Sequence, residues 1–461
     1  MTGRPLLVRN GTFAVLGGGG DITGIGGGTP DGLFQRDARH LSRWELTIDG
    51  EPPTVLVPAG DTAPCVSVLT PHVSRGAPPA CTVFREQAVA DGALVARIRV
   101  TGNTADARGT VIGLTVDADF ADQFELRADD RAYEKPGGER TVQELDHGVE
   151  FCYRRGASWH ARTTVTTVPA PDRIERTGDG ARRLCWELTL TPHVSTEVTL
   201  RVTAHSPGGP APGPVGACPQ EAAAVQEEET VAFVSCPPVP GDRTGWPELA
   251  RACAQGLSDL ALLHVPAVGP DGEPLRVPGA GVPWFLTLFG RDALLTSLFA
   301  LPYRPALGAA TLAALAATQA TRDEPQRIAQ PGKIVHEIRH GELAHFGQVP
   351  YGRYYGSVDS TPLFLVLLGA WTDRTGDSRL ATRLQPHARA AVEWMFRHGG
   401  LDDRGYLVYE ADKDGLANQN WKDSPGSICD ADGTWATGAI AAAEVQGYAY
   451  DALRRATRLA R

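Results

Sequence analysis

The sequence predicts an antiparallel β-sandwich followed by a domain of paired helices. In the first half of the 461-residue chain, apolar and polar residues alternate, as they do over residues 94–100 and 184–190. Alternation places one set of side chains on each face of a half-buried strand. In the second half, apolar residues recur every three or four positions, which is the period of an amphipathic helix. Because a segment rich in proline and glycine separates the two patterns, we predict a sandwich over 1–206, a linker over 207–245 and a helical domain over 246–461.

Further strand signals lie in the first part of the chain. Residues 44–48 have the composition of a strand, and the Asp49-Gly50 pair that follows is typical of a hairpin turn. Residues 198–202 alternate in the same way as the strands named above. The glycine-rich residues 17–28 neither follow a clear strand nor open a helix, so we interpret them as a loop and not as a phosphate-binding cradle.

Six helices, paired as hairpins, are predicted in the second part. The fourth is apolar nearly all round, with the run Leu363-Phe-Leu-Val-Leu-Leu, so we expect it to be buried on all sides. Gly399 and Gly400 end the fifth helix, because glycine readily takes the backbone conformation that terminates a helix. The six predicted helices cover residues 250–261, 292–301, 305–320, 361–375, 378–398 and 436–461.

Composition and charge exclude several classes of protein. The formal net charge of −10 would repel a nucleic acid on average. The longest apolar run, residues 363–371, is far shorter than the roughly 20 residues that span a bilayer. The first residues lack the apolar core of a signal peptide, and no two of the eight cysteines show C-x-x-C spacing. We therefore expect a cytoplasmic protein with buried free thiols and with neither a nucleic-acid nor a membrane partner.

One motif favours a metal site. His336-Glu337-x-x-His340 matches the pattern in which two histidines on one helical face bind zinc and the glutamate acts as general base. Pro331 and Gly332 leave little room for a long helix, and the residues that follow lack the glycine and third histidine of the extended zinc motif. A zinc metallohydrolase is therefore an alternative, whereas the main hypothesis includes neither a metal nor a cofactor.

Aromatic and charged residues gather in the segments between the predicted helices, where binding sites are usually built. The segment before the second helix contains Trp284, Arg291 and Asp292. Aromatic faces stack on the CH surfaces of sugars, while arginine and aspartate can hold hydroxyl groups. The structural alternative is an ordinary helix N-terminus, at which the helix dipole favours Asp292.

A second segment of this kind precedes the fourth helix and contains three tyrosines and Arg353 within five positions. Ser360 or Thr361 can cap the helix that follows. Capping does not explain the density of aromatic residues, which suits a carbohydrate subsite that includes Tyr354 and Asp359.

The third segment lies ahead of the last helix and contains Trp421, Lys422 and Asp423. A carboxyl group beside an indole is partly desolvated, and desolvation favours its protonated form. A glycosidase needs such a protonated acid to donate to the leaving oxygen. The structural alternative is a solvated turn built on the Ser-Pro-Gly sequence that follows.

Together these segments resemble the bacterial amylo-α-1,6-glucosidase group of glycogen-debranching proteins. Residues 32–42, Gly-Leu-Phe-Gln-Arg-Asp-Ala-Arg-His-Leu-Ser, are similar to the family's G-L-F-x-x-D-T-R-x-L-S stretch, and residues 119–127 are similar to its D-F-A-D-x-F-E-V-R stretch. In the helical part, counterparts occur in order for residues 290–292, 333–342, 351–362 and 421–424. Relatives commonly have another residue where His340 stands, which weakens the zinc alternative.

The resemblance, which spans nearly the whole chain, implies a glycogen-debranching-type N-terminal β-sandwich followed by an (α/α)6 toroid, the six-hairpin glycosidase fold. It implies hydrolysis of α-glucosidic bonds in glycogen or related α-glucans, with inversion. By its position in such toroids, Asp423 would be the general acid. The residues expected to line the sugar subsite are Trp284, Arg291, Asp292, Glu337, Arg353, Tyr354, Asp359, Trp421 and Lys422.

One departure from the family bears on activity. A full toroid has twice as many helices as we predict here, and the region that holds the family's general base has no counterpart in this sequence. We therefore expect either a truncated chain or a fold that a second chain completes, and a half-toroid by itself would expose apolar helix faces and associate through them. The main hypothesis is a glycoside hydrolase, and whether this chain alone is active is left open. The alternative is a non-catalytic glucan-binding fragment.

Overall fold

The protein consists of two compact units, Met1–Ser235 and Cys236–Arg461. The structure is a computed structural model that describes residues 4–60, 62–74, 77–127, 131–209, 218–234 and 246–460. Strands dominate the first unit and helices dominate the second, so the predicted order of antiparallel sheets followed by a helical region is confirmed. The boundary between the units falls inside the interval 207–245, and the finer division at residues 206 and 246 stays a prediction.

Antiparallel strands build the first unit. They are β1 (Leu6–Arg9), β2 (Thr12–Val15), β3 (Gly32–Gln35), β4 (Ala38–Leu41), β5 (Arg43–Ile48), β6 (Thr54–Val57), β7 (Cys65–Thr70), β8 (Cys81–Ala90), β9 (Ala93–Gly102), β10 (Arg108–Asp117), β11 (Gly138–Leu145), β12 (Gly148–Arg155), β13 (Trp159–Val168), β14 (Arg173–Arg176), β15 (Arg182–Leu190) and β16 (Ser195–His205), with a short helix α1 (Gln123–Leu126) between β10 and β11. The strands form three sheets in the orders β1-β2-β3-β4, β14-β15-β10-β5 and β11-β12-β13-β16-β9-β8-β7-β6. The alternating segments at 94–100, 184–190 and 198–202 lie in β9, β15 and β16 as predicted.

The turn at Asp49 and Gly50 forms, but the predicted hairpin is wrong. Both residues have left-handed backbones, with φ of 53° and 87°, and Ile48 and Glu51 exchange backbone hydrogen bonds of 2.9 and 3.1 Å across them. Beyond the turn, β5 pairs with β10 and β6 pairs with β7 in a different sheet. Two prolines follow the turn, and because proline has no amide donor the ladder cannot continue there.

Residues inside the predicted linker form a helix, α2 (Pro219–Val234). Its Ala222 is buried in a cluster with Ala88 and Val95 of the β8–β9 hairpin. The proline- and glycine-rich run ahead of this helix suggested a loop, but alanine and glutamate dominate residues 219–234 and both are strong helix formers. The helix therefore belongs to the first unit.

Helices build the second unit. They are α3 (Pro247–Leu262), α4 (Gly290–Ala300), α5 (Pro305–Ala317), α6 (Glu342–His345), α7 (Ser360–Thr375), α8 (Arg379–Arg383), α9 (Gln385–Arg397), α10 (Leu401–Arg404) and α11 (Ala443–Leu459), and the two strands β17 (His264–Val268) and β18 (Pro274–Pro278) form a hairpin. Within residues 246–460, six of these helices have at least eleven residues, which matches the number predicted. The β17–β18 hairpin was not predicted.

Two predicted helices have different bounds in the structure. The helix expected over 378–398 is divided into α8 and α9, because Pro386 in the first turn of α9 cannot continue a preceding helix. The last helix begins at Ala443 rather than at 436. Before it, Ile440 and Tyr409 exchange backbone hydrogen bonds of 2.8 and 3.1 Å, so this segment is extended and pairs with an earlier part of the unit.

The fourth predicted helix, α7, is buried on nearly all sides as expected. It packs against α4, α5, α9 and α11. At its far end the indole nitrogen of Trp371 donates to the carbonyl of Pro305 at 2.8 Å. Because these helices contact α7, its first turn has a fixed position relative to the segments that connect them.

The structure bears on two further predictions, that no helix spans a membrane and that the cysteines are buried free thiols. Among the described residues, none of the helices has the length and hydropathy that a bilayer span requires. Cys81 and Cys185 are buried free thiols, whereas the free thiol of Cys429 is exposed. The predicted burial of the thiols is therefore wrong for Cys429.

A lysine is buried inside the second unit. Lys333 is 4% exposed and lines a cavity of about 410 Å³. Its Nζ donates to the carbonyl of Ile328 at 3.3 Å and lies 5.4 Å from the centre of the Trp394 ring. Burial lowers the pKa of Lys333 to about 7, although the charge of Asp412 acts in the opposite direction.

Replacing Lys333 by methionine is expected to change how stability depends on pH. The pKa of Lys333 falls from an ordinary 10.5 to about 7 on folding, so between these values the unfolded chain binds a proton that the folded protein does not. The free energy of unfolding of the wild type should therefore rise with pH, by about 1 kcal/mol per unit relative to the variant between roughly pH 7.5 and 9.5. Urea titrations of both proteins measure this difference, and parallel pH curves would contradict it.

Candidate active site in the helical unit

The first turn of α4 begins against residues 335–337. The N–H of Gly290 donates to the carbonyl of His336 at 2.7 Å. A Cβ atom at Gly290 would lie 2.1 Å from the carbonyl oxygen of Val335, so the close approach of the two segments requires glycine at this position. The approach sets the place of the next residue, Arg291, which is buried.

Arg291 holds two aspartates from different segments. Its Nη1 donates to Oδ2 of Asp359 at 3.1 Å, and its Nη2 donates to Oδ2 of Asp423 at 3.1 Å. Asp359 precedes α7 and is 1% exposed, whereas Asp423 lies in the loop before α11 and is 39% exposed. The guanidinium therefore joins three distant parts of the sequence, with one carboxylate in the interior and the other at the surface.

A third carboxyl group belongs to this site. We call Arg291, Asp292, Asp359 and Asp423 the Arg291 cluster. Burial raises the pKa of Asp292, and the carboxylates of Asp359 and Asp423 raise it further, against the opposing charge of Arg291. Although 38% of the Asp292 side chain is exposed, its Oδ2 is buried and has no hydrogen-bond partner among the described residues. Burial alone would lower the pKa of Arg291, but the neighbouring carboxylates outweigh it and raise that pKa.

Amide side chains hold the loop that contains Asp423. Asn418 donates from Nδ2 to the carbonyl of Ser424 at 2.9 Å, and Asn420 accepts the N–H of Lys422 at its Oδ1 at 2.8 Å. Both asparagines are buried. These bonds lie on either side of Asp423 and fix the backbone from which its carboxyl group projects.

Gln419 connects the same loop to the start of α7. Its carbonyl accepts the N–H of Val358 at 2.8 Å, and its Nε2 donates to the carbonyl of Glu410 at 2.7 Å. Val358 is the residue before Asp359, so the two carboxylates that Arg291 binds are also tied together through the backbone. These amides were not among the predicted site residues, although three consecutive amide residues are a visible signal in the sequence, because each can donate and accept hydrogen bonds.

A second ion pair lies beside the cluster. The Nε of Arg339 donates to Oε2 of Glu337 at 2.8 Å, and its Nη1 donates to the carbonyl of Trp284 at 2.6 Å. The guanidinium also lies 5.7 and 5.3 Å from the ring centres of Phe285 and Phe289. Arg339, which the sequence analysis did not select, therefore positions the backbone of the predicted aromatic subsite.

Tyr354 is fully buried. Its hydroxyl donates to Oδ2 of Asp412 at 2.8 Å and accepts the N–H of Leu416 at 2.9 Å, and burial raises its pKa. Its backbone pairs with Glu337 in an isolated bridge. Since a side chain without exposed surface cannot stack on a sugar, we interpret Tyr354 as a residue that supports the site rather than one that contacts a ligand.

The predicted binding residues therefore divide by exposure. Those that are buried and bonded to other protein groups are Glu337, Tyr354 and Asp359. Those that are partly or largely exposed are Trp284, Asp292, Arg353, Trp421 and Lys422. Arg291 lies between the two groups, because it is buried but keeps 11% of its side chain exposed. A ligand can therefore reach the second group and this edge of Arg291, whereas the roles of the first group are to position and to neutralise charge.

Two of the exposed residues form a pair, and a third lies apart. The Nζ of Lys422 lies 5.4 Å from the centre of the Trp421 ring, and Trp421 is 54% exposed. Arg353 is exposed at the end of a short 3-10 turn, where it interacts electrostatically with Glu324 and Tyr355. Within the described residues no hydrogen bond or ion pair joins Arg353 to the Arg291 cluster, so its predicted place in the subsite is not supported.

The His336-Glu337-x-x-His340 motif is not helical. Its residues are extended or bent, and the N–H groups of His336 and Glu337 both point to the carbonyl of Tyr354, at 2.7 and 3.2 Å. On such a backbone the two histidines do not share the helical face that the zinc pattern requires. Burial, together with neighbouring cations, holds the pKa of His336 well below its usual value. Nowhere in the described ranges do three or more His, Cys, Asp or Glu side chains form a group that could hold a metal ion.

Comparison with known proteins identifies the first unit. Residues 7–201 match the N-terminal domain of (some) glycogen debranching enzymes. The expected glycogen-debranching type of N-terminal domain is therefore confirmed. The match covers most of the first unit and does not reach the Arg291 cluster. No curated protein sequence matches the chain.

Solved structures resemble the chain only distantly. A structure described as a kojibiose phosphorylase from the human microbiome is 7% identical with a TM-score of 0.49, over 88% of this chain and 58% of its own. A glycosyl hydrolase of the GH92 family is 13% identical with a TM-score of 0.34, over 95% of this chain and 65% of its own. A galactose mutarotase related enzyme from Lactobacillus acidophilus is 8% identical with a TM-score of 0.28, over 44% of this chain and 98% of its own. The chain thus spans less than two thirds of the length of the phosphorylase and of the GH92 hydrolase. Because these likenesses are weak, they carry no argument about function, which must come from the residues of the site.

Replacing Arg291 by methionine is expected to lower the free energy of unfolding by about 3–5 kcal/mol, because the buried carboxylate of Asp359 loses its cation. Urea titration near neutral pH measures the loss. The matched control is Arg353→Met, which removes an exposed guanidinium and should change stability by no more than about 0.5 kcal/mol. Equal stabilities of the two variants would show that Asp359 does not depend on Arg291.

Proposed function

We propose that this protein is a carbohydrate-active enzyme that hydrolyses α-glucosidic bonds of glycogen or related α-glucans, in the manner of an amylo-α-1,6-glucosidase. The observation on which the proposal rests is the Arg291 cluster, in which one guanidinium joins a buried and a half-exposed carboxylate. The match of residues 7–201 to the N-terminal domain of glycogen debranching enzymes supports the choice of an α-glucan. The hydrogen-bonding groups and exposed indoles around the cluster are of the kind that bind sugars.

Asp423 is our candidate for the general acid. Arg291 is already neutralised by the buried Asp359, so its bond to the half-exposed Asp423 is the one that can be exchanged for a ligand. The carboxyl group of Asp423 can then turn to a sugar bound at the cluster and serve as the acid that donates to the leaving oxygen. Once freed, the second Nη of Arg291 can donate to a sugar hydroxyl.

The other exposed groups can orient the sugar. Asp292 has a side chain that is 38% exposed and an Oδ2 that lies 4.0 Å from Nε of Arg291, so its carboxyl group can form a hydrogen bond with a sugar hydroxyl beside Arg291. Trp421 and Trp284 present aromatic surface on the two segments that adjoin the cluster. Substrate binding is thus assigned to Arg291, Asp292 and these two indoles.

The stereochemical outcome depends on a second carboxylate. An inverting enzyme places its general base roughly 6.5–9.5 Å from the acid, with a water molecule between them. We assign no residue of this chain to the role of general base. Inversion is therefore proposed from the family resemblance alone.

A glucan-binding protein without turnover is the second candidate. It is favoured by the ion pair between Asp423 and Arg291, since the carboxyl group proposed as the acid is bonded to the protein itself. Both candidates share the same ligand and the same site. Release of glucose from a branched dextrin separates them, because only the enzyme liberates it.

Replacing Asp423 by asparagine is expected to reduce the rate of glucose release from branched dextrin by about 100-fold or more, since amide nitrogen cannot supply the proton. The dissociation constant for the dextrin should change by less than about threefold, because the variant keeps the shape of the side chain. The matched control is Asp403→Asn, which alters an exposed aspartate of α10 and should leave both quantities unchanged.

Other outcomes revise the assignment in definite ways. Unchanged turnover in Asp423→Asn together with loss of turnover in Asp292→Asn would transfer the role of acid to Asp292, the cluster carboxyl whose pKa is raised. Dextrin binding without glucose release by the wild type supports the binding protein. Absence of both binding and release would refute the proposed function.

A further inference from the structure

Trp435 exposes its indole in a polar part of the second unit. The side chain is 56% exposed and lies between Asp423 and the start of α11. Exposure of so large an apolar surface is unfavourable in water, so a function for it is worth seeking. A single indole among polar residues is far smaller than the roughly 800 Å² per partner of a stable protein interface, which argues against a docking surface for another protein.

The segment that presents Trp435 is a short hairpin rather than a loose loop. Asp430 donates its N–H to the carbonyl of Thr434 at 2.9 Å, and Ala436 donates to the carbonyl of Ile428 at 3.2 Å. Cys429 and Trp435 pair in the bridge between these bonds. The indole is therefore held on paired backbone, which reduces the entropy lost when it orders against a ligand.

The indole lies against the loop that contains Asp423. Gly426 has a left-handed backbone with φ of 75°, and a Cβ atom there would lie 3.1 Å from Nε1 of Trp435. The turn that contains Gly426 is closed by a hydrogen bond of 3.2 Å from the N–H of Ser427 to the carbonyl of Ser424. Gly426 is only three residues from Asp423, so their Cα atoms lie within about 10 Å of each other.

We infer that Trp435 forms a second sugar-binding subsite, which holds a glucose residue of an α-glucan next to the one bound at the Arg291 cluster. The inference rests on the proposed function and extends it from a single sugar residue to an oligosaccharide. The indole face supplies a stacking surface, and the exposed carboxylates of Asp430 and Asp432 on the same hairpin can accept hydrogen bonds from sugar hydroxyls. Trp435 therefore determines preference for chain length and not the chemistry at Asp423.

Isothermal titration calorimetry with maltose and with maltoheptaose tests this subsite. In Trp435→Ala the dissociation constant for maltoheptaose should rise about fivefold to tenfold, because one aromatic contact is lost. The dissociation constant for maltose should change less than about twofold. The conservative variant Trp435→Tyr should recover most of the affinity, because it keeps an aromatic face. The matched control is Trp246→Ala, which removes an indole that is 58% exposed on the residue before α3 and should change neither constant.

The results separate the subsite from the proposed function. If the wild type binds both sugars and Trp435→Ala binds maltoheptaose as tightly as the wild type does, the subsite is refuted while the proposed function stands. If Trp435→Ala weakens both sugars equally, Trp435 acts at the primary site and the second subsite is again refuted. If the wild type binds neither sugar, the proposed function fails and the subsite fails with it.

Discussion

The site of this protein depends on one guanidinium group. Arg291 donates to a carboxylate in the interior and to another at the surface, and these carboxylates come from segments that precede different helices. Breaking a buried ion pair is costly, because the remaining charge is left without a partner. Asp359 therefore fixes Arg291, and Arg291 in turn fixes the orientation of Asp423. The two bonds of Arg291 therefore constrain the start of α4, the start of α7 and the loop before α11.

Burial separates the residues that support the site from those that can meet a ligand. Glu337 and Tyr354 are bonded to Arg339 and Asp412 inside the protein, and they hold the backbone near the cluster in place. Asp292, Trp421 and other exposed groups face solvent and remain free to bind a sugar. The same arrangement explains why the amide side chains at 418–420 matter, since they hold the backbone on either side of the half-exposed Asp423.

Both units support carbohydrate chemistry, but the kind of support differs between them. In the first unit it is a sequence match of residues 7–201 to the N-terminal domain of some glycogen debranching enzymes. In the second unit it is the geometry of charged and aromatic side chains, which concerns the chemistry itself. The proposed function needs both, because the proposed sugar site rests on the geometry and the choice of sugar polymer rests on the match.

The sequence by itself determined the order of sheets and helices and the burial of α7, because the periods of 2 and 3.6 residues are local properties of the chain. With the family resemblance, it also selected Arg291, Asp359 and Asp423, which the structure brings together. Only the tertiary structure decided that β6 joins a different sheet from β5, that His336 lies on extended backbone, and that Tyr354 has no exposed surface. These features depend on contacts between residues far apart in the chain. A local sequence pattern does not predict which residues a strand, an arginine or an aromatic ring will contact.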